Sequence, residues 1–106
     1  MIIEAIKEKK GRDIVLIDLN KITNSPCSFF LICSTTSKTQ INAIANHIEK
    51  VLLEKLKLKI GHQEGKMSNW RLLDYMDIVI HIFKEDTRSH YSIEDLWGDA
   101  IIEKIN

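Results

Sequence analysis

Two apolar runs rich in β-branched and aromatic residues, Trp70–Tyr75 and Ile78–Phe83, are separated by only two residues. So short a joint allows nothing except a tight reversal, and the pattern therefore predicts an antiparallel β-hairpin. Side chains alternate between the faces of a strand, which places Trp70 with Leu72 on one face and Leu73 on the other. Because both faces are largely apolar, we expect the outer one to be covered by the protein's own helices or by a partner.

The longest predicted element is an amphipathic helix. Apolar residues recur at the spacing of one helical face from Ile41 to Leu56. Ser37 and Gln40 have the spacing of a capping box, in which each side chain bonds to the backbone amide of the other residue. A helix of about 20 residues is about 30 Å long, which is enough to cross a small sheet. A shorter helix is expected over residues 1–9, and a helical turn near 85–90.

Continuous apolar runs predict the rest of a sheet. They are typical of strands covered on both faces, and they lie at residues 13–18 and 28–34; a third, short strand is expected at 60–63. The passage from the second of these strands through the long helix to the third predicts a right-handed parallel crossover, while the shorter connections favour antiparallel pairing. We therefore expect one α/β domain over residues 1–106, of the mixed α+β kind. It would have a mixed sheet of about five strands, a long crossover helix and shorter flanking helices.

The charges of the chain are divided unequally along its length. Residues 1–69 carry 11 basic and 7 acidic side chains, whereas residues 70–106 carry 4 basic and 8 acidic side chains. The acidic part contains both tryptophans; it repels phosphate and attracts a basic protein. A sequence-specific nucleic-acid binder shows the opposite pattern, a basic stripe interleaved with aromatic residues. No run approaches the ~20 apolar residues of a membrane span, and the start lacks a targeting signal, so we expect a cytoplasmic protein without membrane contact.

No residue pattern predicts an enzyme, a metal site or a cofactor site. Asp74 and Asp77 are three residues apart, which puts their carboxylates on opposite faces of a strand, and we expect them to hold turns. The hydroxyl-rich corner at 34–37 has no glycine to let a phosphate approach, so its side chains are expected to cap a helix. The four histidines have no companion carboxylate or thiol at a recognisable spacing. Cys27 and Cys33 lack the spacing of a zinc or redox pair, and Cys33 is expected to be a small core residue.

One set of segments carries a family resemblance and runs in order through most of the chain. The set is Asp13–Val15, Phe30–Ser34, Gln40, Ala43–Ala45, Trp70, Leu73–Tyr75, Asp77–Val79, His81–Phe83, Arg88, Tyr91 and Leu96–Ala100. On these residues the sequence resembles the ribosomal silencing factor family, also called the Iojap family. It departs from the family's pattern at Thr35-Thr36, where members often have Gly-Asn, and at Ser28-Phe29, where they often have Asp-Tyr.

The resemblance implies a protein that binds the large ribosomal subunit through ribosomal protein L-fourteen. It further implies that the protein keeps the small subunit from joining and so represses translation when nutrients fall. The implied fold is similar to that of nucleotidyltransferases without their catalytic glycine-serine and paired-carboxylate signature, which this sequence also lacks. A nucleotide-binding or nucleotidyltransferase-like protein and a homodimerising scaffold remain as alternative interpretations.

The resemblance also implies a partner-binding surface on the predicted hairpin and its neighbours. Carried over to this sequence, that surface comprises Trp70, Leu72, Leu73, Asp74 and Tyr75, together with His81, Arg88 and Tyr91. Tryptophan, tyrosine and arginine dominate the binding energy of protein interfaces, and acidic side chains suit a basic ribosomal protein. The predicted mechanism is steric obstruction, which requires no catalytic residue, metal ligand or cofactor.

Overall fold

The computed structural model describes residues 1–91 and 100–105, which form one β-sheet with helices packed on it. The helices are α1 (Ile2–Glu8), α2 (Lys38–Leu56) and α3 (Glu85–Tyr91). The strands are β1 (Arg12–Asp18), β2 (Phe29–Thr35), β3 (His62–Glu64), β4 (Trp70–Asp74), β5 (Ile78–Lys84) and β6 (Ile101–Lys104). The mixed class, the long helix and the hairpin strands predicted from the sequence are confirmed, with small shifts at the boundaries.

The strands form a single sheet in the order β3-β4-β5-β2-β1-β6. Strands β2 and β5 pair in parallel, and the other neighbouring pairs are antiparallel. The sheet has six strands, one more than expected. The additional strand, β6, pairs with β1 at one edge, and all four of its residues are exposed. A strand without a buried face has no alternating apolar pattern, which is why the sequence does not predict β6.

Helix α2 connects β2 to β3 and crosses the sheet. Strand β3 runs parallel to β2, as the predicted crossover requires. It is antiparallel to β4, which is antiparallel to β5, and β5 is parallel to β2. The two strands are not neighbours, however, since β4 and β5 lie between them. The helix has 19 residues and is therefore about 28 Å long. No helix within residues 1–91 and 100–105 is both long and apolar enough to cross a membrane.

The start of α2 confirms one half of the predicted capping box. The Ser37 hydroxyl oxygen accepts a hydrogen bond from the Gln40 backbone N–H at 3.2 Å, as an N-cap does. The Gln40 side chain does not return this bond; its Oε1 instead accepts from the Thr35 hydroxyl at 2.8 Å. Thr35 is fully buried at the end of β2 and needs a partner for its hydroxyl. The corner between strand and helix is thus closed by its own side chains.

The sheet buries apolar side chains on both faces. The first core lies between the sheet and helices α1 and α2, and its buried members include Ile6, Ile14, Leu31, Cys33, Ile44, Ile48, Leu73 and Ile80. The second core lies on the opposite face and includes Val15, Ile17, Leu19, Phe30, Ile32, Val79 and Phe83. Cys33 is buried as predicted, and burial raises the pKa of its thiol to about 12, so the thiol stays protonated. The way the hairpin divides between these cores decides which of its side chains can reach a partner.

Candidate partner-binding site

Strands β4 and β5 form the predicted antiparallel hairpin. The Tyr75 backbone N–H donates to the Ile78 carbonyl at 3.0 Å and closes the turn. Met76 has a φ of 71°, in the left-handed region that residues with a side chain rarely adopt. The Asp74 carboxylate supports this conformation because its Oδ1 accepts a hydrogen bond from the Met76 N–H at 2.8 Å. Asp74 therefore holds the turn, as the sequence predicted.

One face of the hairpin carries the β4 side chains of Trp70, Leu72 and Asp74, which we call the outer row. All three are partly exposed, and across the pair they stand opposite Phe83, His81 and Val79. The Trp70 ring stacks on Phe83 with the ring centroids 4.9 Å apart and the planes at 24°. The Trp70 Nε1–H also donates to His81 Nδ1 at 3.1 Å. A stack and a hydrogen bond thus fix the orientation of an indole that remains partly accessible.

His81 lies beneath the outer row and is only 4% exposed. Because its Nδ1 accepts from Trp70, the ring proton of the neutral imidazole is on Nε2. Nε2 is buried and has no hydrogen-bond partner among the described residues, and Phe30 approaches the ring edge-on at a centroid distance of 4.7 Å. Burial lowers the pKa of His81 to about 4. His81 therefore acts as a neutral acceptor that positions Trp70, and its burial leaves it unable to offer a contact surface of its own.

The opposite face of β4 is closed by the first core. Leu73 is fully buried and Tyr75 is 6% exposed, since both point toward the face that α2 covers. Burial raises the pKa of the Tyr75 phenol to about 12, and the negative charge of Glu49 adds to the shift. The expectation that Leu73 and Tyr75 contact a partner is corrected by this burial, because a partner could reach them only if α2 moved. Their contribution is to fix the strand that carries the outer row.

Arg71 shares the buried face and is 4% exposed, and no sequence pattern had singled it out. Its Nη1 donates to Asn42 Oδ1 at 3.0 Å, and its Nη2 donates to Gln63 Oε1 at 2.8 Å. The same Nη2 lies 3.4 Å from Glu49 Oε1, which makes an ion pair with α2. Arg71 thus connects α2, β3 and β4. The sequence held one indication of this burial: because side chains alternate along a strand, Arg71 lies on the same face as Leu73.

Arg88 and Tyr91, the remaining predicted contact residues, belong to α3. Helix α3 follows the end of β5 that lies away from the hairpin turn. The Arg88 guanidinium donates to the Asp13 carbonyl and, at 3.3 Å, to the Ser34 hydroxyl. It supports a β1 backbone in which Asp13 has a φ of 50° beside a β-bulge. Arg88 therefore binds within the fold, while the side chain of Tyr91 and the segment 96–99 lie outside the described residues.

The described residues hold no cluster suited to metal chemistry. Within residues 1–91 and 100–105, no three His, Cys, Asp or Glu side chains lie close enough together to hold a metal ion. Two histidines do have carboxylate companions, contrary to expectation: His47 Nε2 is 2.7 Å from Glu8 Oε2, and His62 Nε2 is 3.5 Å from Glu64 Oε2. The first pair joins residues 39 apart in the sequence, so no local spacing could reveal it.

The sequence is similar to the members of one known protein family. The sequence matches the family described as "Ribosomal silencing factor during starvation" over residues 1–106. It is 37% identical over 99 residues to the ribosomal silencing factor of Halalkalibacterium halodurans, and the aligned region covers 92% of this chain and 83% of that relative. A Mus musculus protein named "Mitochondrial assembly of ribosomal large subunit protein 1" is 28% identical over 101 residues, 92% of this chain and 43% of that protein.

A solved structure agrees with the sequence matches. The crystal structure of a Chromobacterium violaceum protein has a TM-score of 0.83 to this fold at 35% identity, covering 92% of this chain and 80% of that one. The fold thus agrees with the sequence matches, and the resemblance seen in the sequence is confirmed. The chain belongs to the ribosomal silencing factor family, whose role lies in the regulation of translation.

Proposed function

We propose that this protein represses translation under nutrient limitation by binding the large ribosomal subunit through ribosomal protein L-fourteen. Bound there, it would obstruct the surface that the small subunit must meet, which requires no bond to be made or broken. The family description, which includes starvation, and the name of the mouse relative, which includes the large subunit, both support this proposal. We place this activity in the cytoplasm, where bacterial ribosomes assemble.

The observation that carries the proposal is the outer row. Trp70, Leu72 and Asp74 present an aromatic, an aliphatic and an acidic group side by side on a strand fixed from behind by the first core. An indole held in place is the kind of anchor that contributes most to interface energy. The carboxylates of Asp74 and of Asp77, which is exposed at the turn, suit a cationic protein surface.

Co-sedimentation with purified large subunits tests this surface. We expect Trp70→Ala to weaken binding by about 30-fold or more, because loss of a central aromatic anchor costs about 2 kcal/mol or more. Asp74→Asn keeps an oxygen that can accept from Met76 while removing the charge, and we expect a several-fold loss that disappears at high salt. Asp86→Asn is the matched control, since Asp86 is an exposed acid on α3. Unchanged binding in both site variants, with folding verified by circular dichroism, would contradict the assignment of the surface.

We also propose that the free protein forms a homodimer through β6. In the described part of the chain, β6 pairs with β1 along one side, while Ile101 and Ile102 are 56% and 41% exposed. An open strand edge pairs readily with another copy. Light scattering over a dilution series should show a dimer that Ile102→Lys converts to a monomer; a wild-type monomer at every concentration would refute this proposal.

A further inference from the structure

A dense group of lysines lies at the end of α2 and in the connector to β3. Lys50, Lys55, Lys57 and Lys59, which we call the basic segment, are all exposed, and the same stretch contains one acid, Glu54. In the described part of the chain none of these four ammonium groups makes an ion pair. Arg12, Arg71 and Lys84, in contrast, each pair with a carboxylate of the protein. The basic segment therefore carries positive charge that no carboxylate of the described residues neutralises.

The backbone of this segment is held in place at both ends. Lys57 ends α2 in a left-handed conformation with a φ of 55°, and its N–H donates to the Leu53 carbonyl at 3.1 Å. Four residues later, the Gly61 N–H donates to the Asp74 carbonyl at 2.9 Å. The connector thus reaches the end of β4 where the hairpin turns. Lys59, two residues before Gly61, therefore lies close along the chain to the end of β4 that carries Asp74.

Part of this charge has an internal explanation, and part does not. A lysine in the last turn of a helix, such as Lys55, interacts favourably with the helix dipole. Lys57 is the C-cap residue and benefits from the dipole in the same way, whereas Lys59 lies beyond the helix end. No described carboxylate pairs with either lysine. A partner that contacts both the outer row and the basic segment has to offer cationic groups to the first and anionic groups to the second. A basic ribosomal protein embedded in RNA is such a partner, since its own surface is cationic while the phosphates around it are anionic.

We propose that the basic segment binds the phosphate backbone of ribosomal RNA beside the protein contacted by the outer row. This inference rests on the proposed function and adds a second class of contact to it. The contact would be independent of base sequence, because lysines bind phosphate as point charges and the segment offers no aromatic ring for stacking. An anionic membrane fits less well. The apolar face of α2, with Ile48 and Leu52, is directed into the first core, which leaves only Leu53, Leu56 and Leu58 exposed.

The test compares two double variants with the same change of charge. Lys57→Glu/Lys59→Glu alters the basic segment, and Lys9→Glu/Lys10→Glu alters two exposed lysines before β1, at the opposite end of the sheet. The pairs are matched in backbone strain as well, because Lys10 has a φ of 66° and Lys57 a φ of 55°. The affinity of each protein for purified large subunits is measured between about 50 and 200 mM salt.

Loss of two phosphate contacts should lower the slope of log affinity against log salt by about 1.4 to 1.8. The wild-type protein should therefore lose about tenfold more affinity over this salt range than the basic-segment variant. The control variant should keep the wild-type slope. Equal slopes for the wild-type protein and both variants would overturn the inference, even if Trp70→Ala abolishes binding and so upholds the proposed function.

A direct probe separates the inference from the proposed function. Fluorescence anisotropy with a labelled duplex of ribosomal RNA should show salt-dependent binding that Lys57→Glu/Lys59→Glu weakens and the control does not. If the wild-type protein fails to sediment with large subunits, the proposed function falls, and this probe alone decides whether the phosphate contact stands. Binding to phosphatidylglycerol vesicles or to an acidic peptide, but not to the RNA duplex, would overturn the inference in favour of those partners.

Discussion

Protonation of His81 should destabilise the protein between neutral and mildly acidic pH. Burial lowers the pKa of His81 from 6.5 to about 4, so the unfolded chain takes up the proton first as the pH falls. The free energy of unfolding should therefore be highest above about pH 6.5, decrease as the pH falls toward about 4, and lose nothing further from His81 below that. Between pH 7 and 4.5 the contribution of His81 amounts to about 2 kcal/mol, obtained from this shift at 1.36 kcal/mol per pKa unit.

Urea unfolding of the wild-type protein and of His81→Asn at pH 7 and at pH 4.5 isolates this contribution. Asparagine places an oxygen near the position of Nδ1 and can still accept from Trp70 Nε1–H, but it does not titrate. The other histidines and the carboxylates are present in both proteins, so their effects cancel in the difference. The wild-type protein should lose about 2 kcal/mol more than the variant on acidification. Equal losses in the two proteins would refute the view that His81 is buried and neutral.

Two further substitutions test the division of the hairpin between the two cores. Leu73→Ala should lower the free energy of unfolding by about 2–5 kcal/mol, because it leaves a cavity in the first core. The folded variant should bind the large subunit as tightly as the wild-type protein. Weaker binding would show that Leu73 is a contact residue. Arg71→Met should lower the free energy of unfolding by about 3 kcal/mol in urea titrations, because it leaves Gln63 and the partly buried Glu49 without their cation. If Arg71→Met is as stable as the wild-type protein, the network around Arg71 contributes nothing to stability.

Local periodicity predicted most of the elements correctly. The recurrence from Ile41 to Leu56 is a property of one helix face, and the reversal at Met76 follows from the length of the joint alone. Strand β6 escaped prediction because its residues, including Ile101 and Ile102, are exposed and leave no burial pattern to read. The same limit applies to His47 and Glu8, whose contact depends on how α1 packs against α2.

The partner-binding surface stays a prediction, and the structure buries three of its eight predicted members, Leu73, Tyr75 and His81. Alternation separates Trp70 and Leu72 from Leu73 and Tyr75, but it does not reveal which face the long helix covers. That choice depends on the path of α2 from β2 to β3, which is a property of the whole topology. Residues of the outer row remain candidates for contact, and Leu73 and Tyr75 are structural. Arg88 was selected by resemblance, and its contacts with Asp13 and Ser34 brace the start of β1 against the end of β2.

The fixed orientation of the Trp70 ring has a consequence for the kinetics of association. Ordering a free side chain at an interface costs about 0.5–1.5 kcal/mol, and the stack on Phe83 together with the bond to His81 has already met that cost in the unbound protein. Docking then needs no slow rearrangement of the hairpin, and the rate of complex formation would follow the frequency of encounter and the attraction between opposite charges. A factor of this kind could engage a passing subunit as soon as the two collide in the right orientation.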